Sequence, residues 1–295
     1  MSAMAHSDPD LLRESPLQAA EVRDAEALVR EAGWNQVAAD WRIFLELGAV
    51  YAVRNNAARV IATAATIPYG GRVAWISMVL VAGDYRGRGI ATRLLRHCVD
   101  DCVGRRLRPV LDATPAGRRV YLRLGFEDFW GFTRYSAPGP PREDVAPQTP
   151  DGVVIRPISD DEWLMLPRYD AKAFGTDRSA LLVRLRGRVP ETVLAAWRGD
   201  RMIGFVVGRD GRSATQLGPV AAEDEGVAKA LLGRALARAR GPIYIDLADD
   251  KSALRRWLEG RGFAPQRPFT RMGFGHAKMI GDLARTMAVA GPELG

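Results

Sequence analysis

Lysine is almost missing: Lys172, Lys229, Lys251 and Lys278 are the whole complement of a chain of 295 residues. The formal charge is nonetheless +7 and the isoelectric point about 9.8, so the excess is arginine, spread from end to end. A basic balance invites a nucleic-acid reading. The distribution argues against it, because there is no basic tail and no Lys/Arg block interleaved with aromatic residues. Cysteine is scarcer still. Cys98 and Cys102 lie one helical turn apart on an apolar face. That excludes a disulfide framework and reads as two buried thiols, with a reducing cytoplasm as the expected location. The three histidines, His6, His97 and His276, are scattered. They complete neither a Ser/His/Asp arrangement nor a metal-ligand spacing, so no metal is expected. No apolar run is long enough to cross a membrane, and residues 1–16, with Asp8, Asp10 and Glu14, lack the apolar centre of a signal peptide.

What is present is a plan stated twice. A chain of this length suits two domains. Residues 137–152, rich in Pro and Gly, read as a linker between them. Before it, helical patterns cover 18–32 and 36–47, strands 49–54, 58–67 and 73–81, a helix 89–104, a strand 108–113, a helix 116–124 and a closing strand pair 126–135. After it come a strand at 153–156, helices 159–170 and 178–187, and strands 192–198, 202–208 and 214–220. A helix 225–239, a strand 243–247, a helix 251–260 and a last strand pair from Phe263 follow. The same 37 positions separate Gly89 from Phe126 and Gly226 from Phe263, and Leu94-Leu95 and Leu231-Leu232 keep the same offsets. This is duplication of one domain. The expected boundaries are a flexible N-terminus 1–16, a first domain 17–136, the linker, a second domain 153–275 and a tail 276–295.

The two copies part at one turn. In the first, the apolar strand Trp75 to Val81 runs into Arg86-Gly87-Arg88-Gly89-Ile90-Ala91 and then a helix. Strand, glycine turn and helix N-terminus converge backbone N–H groups on one point, an anion site suited to phosphate oxygens. In the second, the loop between Val220 and Gly226 is shorter and carries Glu223, Asp224 and Glu225, which would repel a diphosphate. The chemistry is therefore expected in the first half. The turn is not a dinucleotide fingerprint, since Thr92 stands where the third glycine belongs. Nor is it a Walker loop, for want of a Gly-Lys-Ser/Thr ending.

The pattern Arg86-Gly87-Arg88-Gly89-Ile90-Ala91, with the apolar strand before it and Tyr121-x-x-x-Gly125-Phe126 after it, resembles the GNAT superfamily of acyl-CoA-dependent N-acetyltransferases. The resemblance covers residues 18–136 strongly and 153–274 as scaffold, in the manner of two-domain members with an intact N-terminal and a degenerate C-terminal domain. It implies an α/β (α+β) fold, two tandem domains each with a mixed, mostly antiparallel twisted sheet flanked by helices. It also implies acetyl-CoA as co-substrate and a small-molecule or peptide amine as acceptor. On matching positions, Arg86, Gly87, Arg88, Gly89, Ile90, Ala91 and Thr92 would bind the pyrophosphate. Val79, Leu80 and Val81 would pair with the pantetheine arm and polarise the thioester carbonyl.

The expected reaction is direct attack by a neutral amine, without an acyl-enzyme. Tyr121 is the candidate general acid for the departing thiolate, or else a packed helix tyrosine. Asp112, at the end of its strand, is a candidate base, or else a capping or turn carboxylate before Pro115. Pro115 and Arg118 stand where the family often has Asn and Ala, and Arg118 could meet a phosphate instead. Trp34, Asn35 and Trp41 lie in the region that usually walls the acceptor pocket, and Tyr69 in the 68–71 turn could overhang it. Core packing is the competing role for the tryptophans. The second half could cover the pocket through Arg178 or the segment after Arg271. A non-catalytic acyl-CoA-binding protein is the alternative reading. Replacing Arg86 and Arg88 together by alanine is expected to raise the apparent acetyl-CoA constant; unchanged binding would move the donor site elsewhere.

Overall fold

A computed structural model describes residues 13–140, 149–276 and 279–295. Residues 141–148 of the expected linker 137–152, and residues 1–12 of the expected flexible N-terminus, lie outside those described. In the first half the elements run β1 (Arg13–Pro16), α1 (Val22–Glu31), α2 (Ala38–Leu47), β2 (Ala49–Arg54), β3 (Val60–Tyr69) and β4 (Val73–Val81). They continue with α3 (Ile90–Gly104), β5 (Arg108–Ala113), α4 (Pro115–Arg123) and β6 (Phe126–Ala137). The second half gives β7 (Val154–Pro157), α5 (Met165–Phe174), α6 (Ser179–Arg186), β8 (Leu194–Arg198), β9 (Arg201–Arg209) and β10 (Thr215–Ala222). Then come α7 (Glu225–Leu236), β11 (Ile243–Ala248), α8 (Ser252–Glu259), β12 (Ala264–Phe274) and β13 (Thr286–Ala288). Residues 13–16 are thus a strand paired with β2 rather than part of a loose end.

All the strands join one sheet in the order β1-β2-β3-β4-β5-β12-β6-β11-β13-β10-β9-β8-β7. Pairing is antiparallel except for β4 with β5 and β10 with β11, the same step in each copy. The sheet separates the helices by side-chain alternation. Trp75 joins the cluster made with α1, α2, α5 and α6, while its neighbour Ile76 joins the cluster under α3. On α3, Ile90, Leu94, Leu95, Cys98 and Cys102 form the buried stripe that their spacing predicts. The second copy packs α7 and α8 on its own cluster, with Leu231, Leu232, Leu254 and Leu258 fully buried.

The order contains one exchange. The expected closing strand pairs do not form: β6 and β12 are each one continuous strand, and each neighbours elements of the other half. β12 pairs with β5 from Thr270↔Ala113 to Gly273↔Val110. β6 pairs with β11 from Ile243↔Ala137 to Ala248↔Phe132. Between them β6 and β12 align from Ala264↔Ser136 to Phe274↔Phe126. Two local features mark the middle of β6. Phe129 is an extra residue at a bulge, where the register shifts between Trp130 and Asp128. Gly131 lets Asp249 approach closely: a Cβ there would lie 2.4 Å from Asp249 Oδ2, and that side chain would have to shift.

The expected tail is also no tail. β13 inserts between β10 and β11, and Met287 to Ala290 are buried. The chain then crosses to the first half, where the Trp75 indole donates to the Pro292 carbonyl at 3.1 Å and the Tyr69 hydroxyl to the Leu294 carbonyl at 3.0 Å. These hydrogen bonds link regions too far apart in sequence for local patterning to reveal. A fragment ending at residue 148 leaves β5 and β6 without β12. It should aggregate or lack cooperative unfolding by circular dichroism, whereas a soluble fragment with a sharp transition would show that β5 and β6 pair directly.

Candidate active site

Parallel β4 and β5 stay together only from Val73↔Arg108 to Trp75↔Val110 and then splay. Met78 sits at φ +52°, the β3–β4 register shifts beside it, and the Thr63 hydroxyl donates to the Met78 carbonyl at 2.9 Å. This bulge turns β4 away from β5, so the backbone of residues 76–81 has no ladder partner on that side among the described residues. A cavity of about 330 Å³ opens in the gap. Val79, Ala91 and Leu95 form its wall on the α3 side, with Gly117 and Tyr121 from α4 and its N-cap Thr114.

The glycine turn borders that gap. Gly87 and Gly89 take φ of +77° and +76°, which L side chains rarely adopt, and a Cβ on either would meet nothing within 4 Å. The space outside the turn is therefore open to a ligand. Gly89 is the N-cap of α3 and offers no side chain to it. The N–H groups of Ile90, Ala91 and Thr92 precede the first intrahelical bond, from Arg93 N to Gly89 O at 3.0 Å. A phosphate fits such a donor set. Arg86 and Arg88 brace the turn: Arg86 Nε donates to the Val81 carbonyl at 3.0 Å and its Nη2 to Glu31 at 3.1 Å. Arg88 donates to the Asp84 carbonyl at 3.1 Å and lies 5.1 Å over the Tyr85 ring. The matching helix of the second copy, α7, is closed: Asp224 Oδ1 accepts from Val227 N at 2.8 Å.

Tyr121 is held on α4 with its ring against Gly117, and burial pushes its phenol up to about 12, with a smaller push from Cys98. It stays protonated at neutral pH. Thr114, not Asp112, caps α4, accepting from Gly117 N at 3.2 Å. The Asp112 side chain is wholly buried and accepts from Arg271 Nε at 2.9 Å and Nη2 at 3.0 Å. Burial outweighs that guanidinium and raises its carboxyl from 3.8 to about 6. Both Asp112 oxygens are thus engaged. Neither thiol is available as an acyl carrier: burial pushes Cys98 well above its usual range and Cys102 up to about 12.

The other expected residues divide. Trp34, in the turn between α1 and α2, lines the cavity. Asn35 does not. It is buried, with Nδ2 donating to Ala214 O at 2.9 Å and Oδ1 accepting from Ser213 N and Ala214 N, so it ties the turn to the second half. Trp41 is fully buried in the core, edge-on to Phe44. Tyr69 is likewise core, packed against Trp75 and Phe174 beneath the C-terminal segment. Arg118 points away to Asp128, both of whose oxygens accept from its Nε at 2.9 Å. Arg178 pairs with Asp170 at 2.8 Å, outside the cavity. Leu80 packs into the α1–α2 core, so of residues 79–81 it is the backbone edge and Val79 that face the gap.

Sequence patterning missed the far wall. Arg267 and Phe269 arrive on β12, Arg134 on β6, and Pro292 and Glu293 on the C-terminal segment. Arg134 is neutralised by Asp246, with two bonds of 2.7 Å. Glu293 pairs with Arg209, which also reaches Asp40 Oδ1 at 3.2 Å. Burial works to lower Arg209, but Glu293 and Asp40 outweigh it and keep it charged. Among the described residues, Gln36 Oε1, Ser77 Oγ and Glu293 Oε2 are buried without a hydrogen-bond partner.

Comparison with known proteins supplies the family. The Acetyltransferase (GNAT) family matches residues 15–126, and the Acetyltransferase (GNAT) domain matches residues 166–285. The chain is 24% identical over 241 residues to the uncharacterized N-acetyltransferase YitH of Bacillus subtilis (strain 168), covering 80% of this chain and 82% of that protein. In fold it is similar to a putative acetyltransferase from Pyrococcus horikoshii, with TM-score 0.74 and 21% identity, covering 100% of this chain and 99% of that one. It is also similar to a tandem GNAT protein from the clavulanic acid biosynthesis pathway, with TM-score 0.62 and 16% identity, covering 91% and 99%. The GNAT family uses acetyl-CoA to acetylate amine acceptors. A sheet with one parallel step per copy, a duplicated plan and these two matches agree: the chain is a GNAT-family N-acetyltransferase built of two GNAT domains.

Proposed function

We propose that the first half carries the reaction and moves an acetyl group from acetyl-CoA to an amine within a ternary complex, by direct attack. The observation that carries this reading is the contrast between the two copies. At α3 an uncapped helix N-terminus follows two left-handed glycines and opens beside the unpaired edge of β4. At α7 a carboxylate fills the same place.

When bound, acetyl-CoA supplies the acetyl thioester. The N–H groups around residues 87–92 hold its diphosphate, and the free edge of β4 from Ile76 to Val81 hydrogen-bonds its amide-bearing arm as an added strand would. N–H groups on that edge are fixed before the substrate arrives, so they stabilise carbonyl oxygen charge at little reorganisation cost. Tyr121 Oη, protonated at neutral pH, donates to the departing sulfur. The two buried cysteines hold their protons, which favours direct attack over an acyl-enzyme.

Two measurements test the reading. Replacing Gly89 by valine should weaken acetyl-CoA binding by calorimetry about tenfold or more, because a β-branched residue is strained at φ +76° and fills the anion site. Asp224→Ala should leave it unchanged; the reverse pattern would move the donor site to the second half. Tyr121→Phe should lower kcat by roughly 10²-fold, the usual worth of a positioned acid, with little change in the acetyl-CoA KM. An equal rise in KM would make Tyr121 a binding residue only.

A further inference from the structure

Building on the donor site proposed at β4 and α3, we propose that the remaining cavity is a two-ended acceptor site. Glu293, Gln36 and Ser77 seat the ammonium group, and Arg267 receives an anionic group of the same small molecule. The acceptor class is an amine bearing a carboxylate or a phosphate.

Three unpartnered oxygens define the first end. Gln36 is 3% exposed, Glu293 3% and Ser77 8%, and each lines the cavity with a buried oxygen that accepts from nothing among the described residues. They come from the α1–α2 turn, from β4 and from the C-terminal segment, so no local fold rule gathers them. A buried acceptor left unpaired costs about 1–3 kcal/mol, and three in one cavity call for a ligand that brings donors. An ammonium group has three N–H donors.

Charge fixes the sign. Behind Glu293 lie Arg209, Asp40, Arg188 and Asp210, joined by Arg188 Nη1 to Asp40 at 2.9 Å and by the Arg188–Asp210 pair. With Glu293 this cluster has three carboxylates and two guanidiniums, one negative charge in excess. Asp112–Arg271 and Arg134–Asp246 are neutral pairs and add nothing. Arg267 is the opposite imbalance. It lines the cavity half-buried, and its side chain makes no hydrogen bond or ion pair among the described residues. The ends are set apart by the sheet: Pro292, beside Glu293, is bonded to Trp75 on β4, whereas Arg267 rides on β12, beyond β5. Trp34 and Phe269 give the space between apolar walls. Glu293 can also relieve the amine of its charge. One N–H proton passes to Oε2, and the nitrogen lone pair is freed for attack.

The test is calorimetric titration of the full chain, with and without coenzyme A. The probes are glycine, β-alanine, 4-aminobutanoate, 6-aminohexanoate and 2-aminoethyl phosphate, with butylamine and butanoate as one-ended controls. At least one two-ended probe should bind about tenfold more tightly than either control, the worth of one charge-assisted contact. Preference for 2-aminoethyl phosphate would assign the anion as phosphate, preference for the others as carboxylate. Arg267→Ala should abolish that advantage without altering butylamine binding. Gln36→Leu should weaken every amine probe about tenfold, and Glu293→Gln more, provided its circular dichroism matches the parent. Butylamine binding as tightly as the two-ended probes, or no amine binding while coenzyme A still binds, overturns the proposal. Loss of coenzyme A binding itself would instead count against the donor site.

Discussion

Each half of the sheet is completed by a strand from the other, and that exchange governs the rest. β12 lies between β5 and β6, and β6 between β12 and β11, so the two matching strands cross in the middle of one sheet. The duplication alone would have given two separate sheets, each with an edge where the halves now meet. Crossing removes those two inner edges and leaves β1 and β7 at the ends of the joined sheet. It also carries Arg267 and Phe269 from the second half, and Arg134 from the first, to the mouth of the β4–β5 gap. A bidentate ion pair marks the junction, where Arg271 of β12 stands opposite Asp112 of β5. Arg271 also lies 4.5 Å over the Trp75 ring and 4.6 Å over Trp130, so the charge is enclosed by aromatic faces rather than water.

Duplication followed by divergence is visible at the two helix starts. α3 begins after a turn that needs glycine twice for its backbone and presents bare N–H groups. α7 begins at Asp224, whose side chain closes the same groups, and its neighbour Glu225 accepts from Leu254 N at the start of α8. A capped helix end is more stable than a bare one by about 1 kcal/mol, so the open end of α3 is kept at a cost to stability. The second copy has the sturdier arrangement and supplies walls.

Local features were legible in the sequence. The strand–glycine turn–helix junction and the buried stripe on α3 follow from spacing over a few residues, whereas Tyr121 is singled out by the resemblance and the cap of α4 falls to Thr114. Element order followed too, since period and breakers mark strands and helices wherever they lie. Partners did not. The alternation in residues 126–137 says strand, but nothing in it says which strand lies alongside, and one bulged strand runs where a strand pair was expected. Trp41, Asn35 and Tyr69 lie in the region that the resemblance implies for the pocket; Trp41 instead packs on Phe44 within α2, and Asn35 and Tyr69 meet Ala214 and Leu294, contacts set by the second half. Glu293 stands alone in a short Gly-Pro-rich stretch and has no neighbour in sequence to announce it. Its meaning arises only where Arg209 and the unpaired edge of the cavity meet it.

The crossed strands set a timetable for the ribosome. Both neighbours of β6 are encoded after it, and β12 is complete only at Phe274. At about 5–20 residues per second, the finished first half trails an unmated strand for several seconds or more. In that interval residues 126–137 present two open hydrogen-bonding edges, in a nascent chain among other nascent chains. The first domain to be made is among the last to be closed, and holding β6 apart until its neighbours emerge becomes a task for chaperones or for the speed of translation itself.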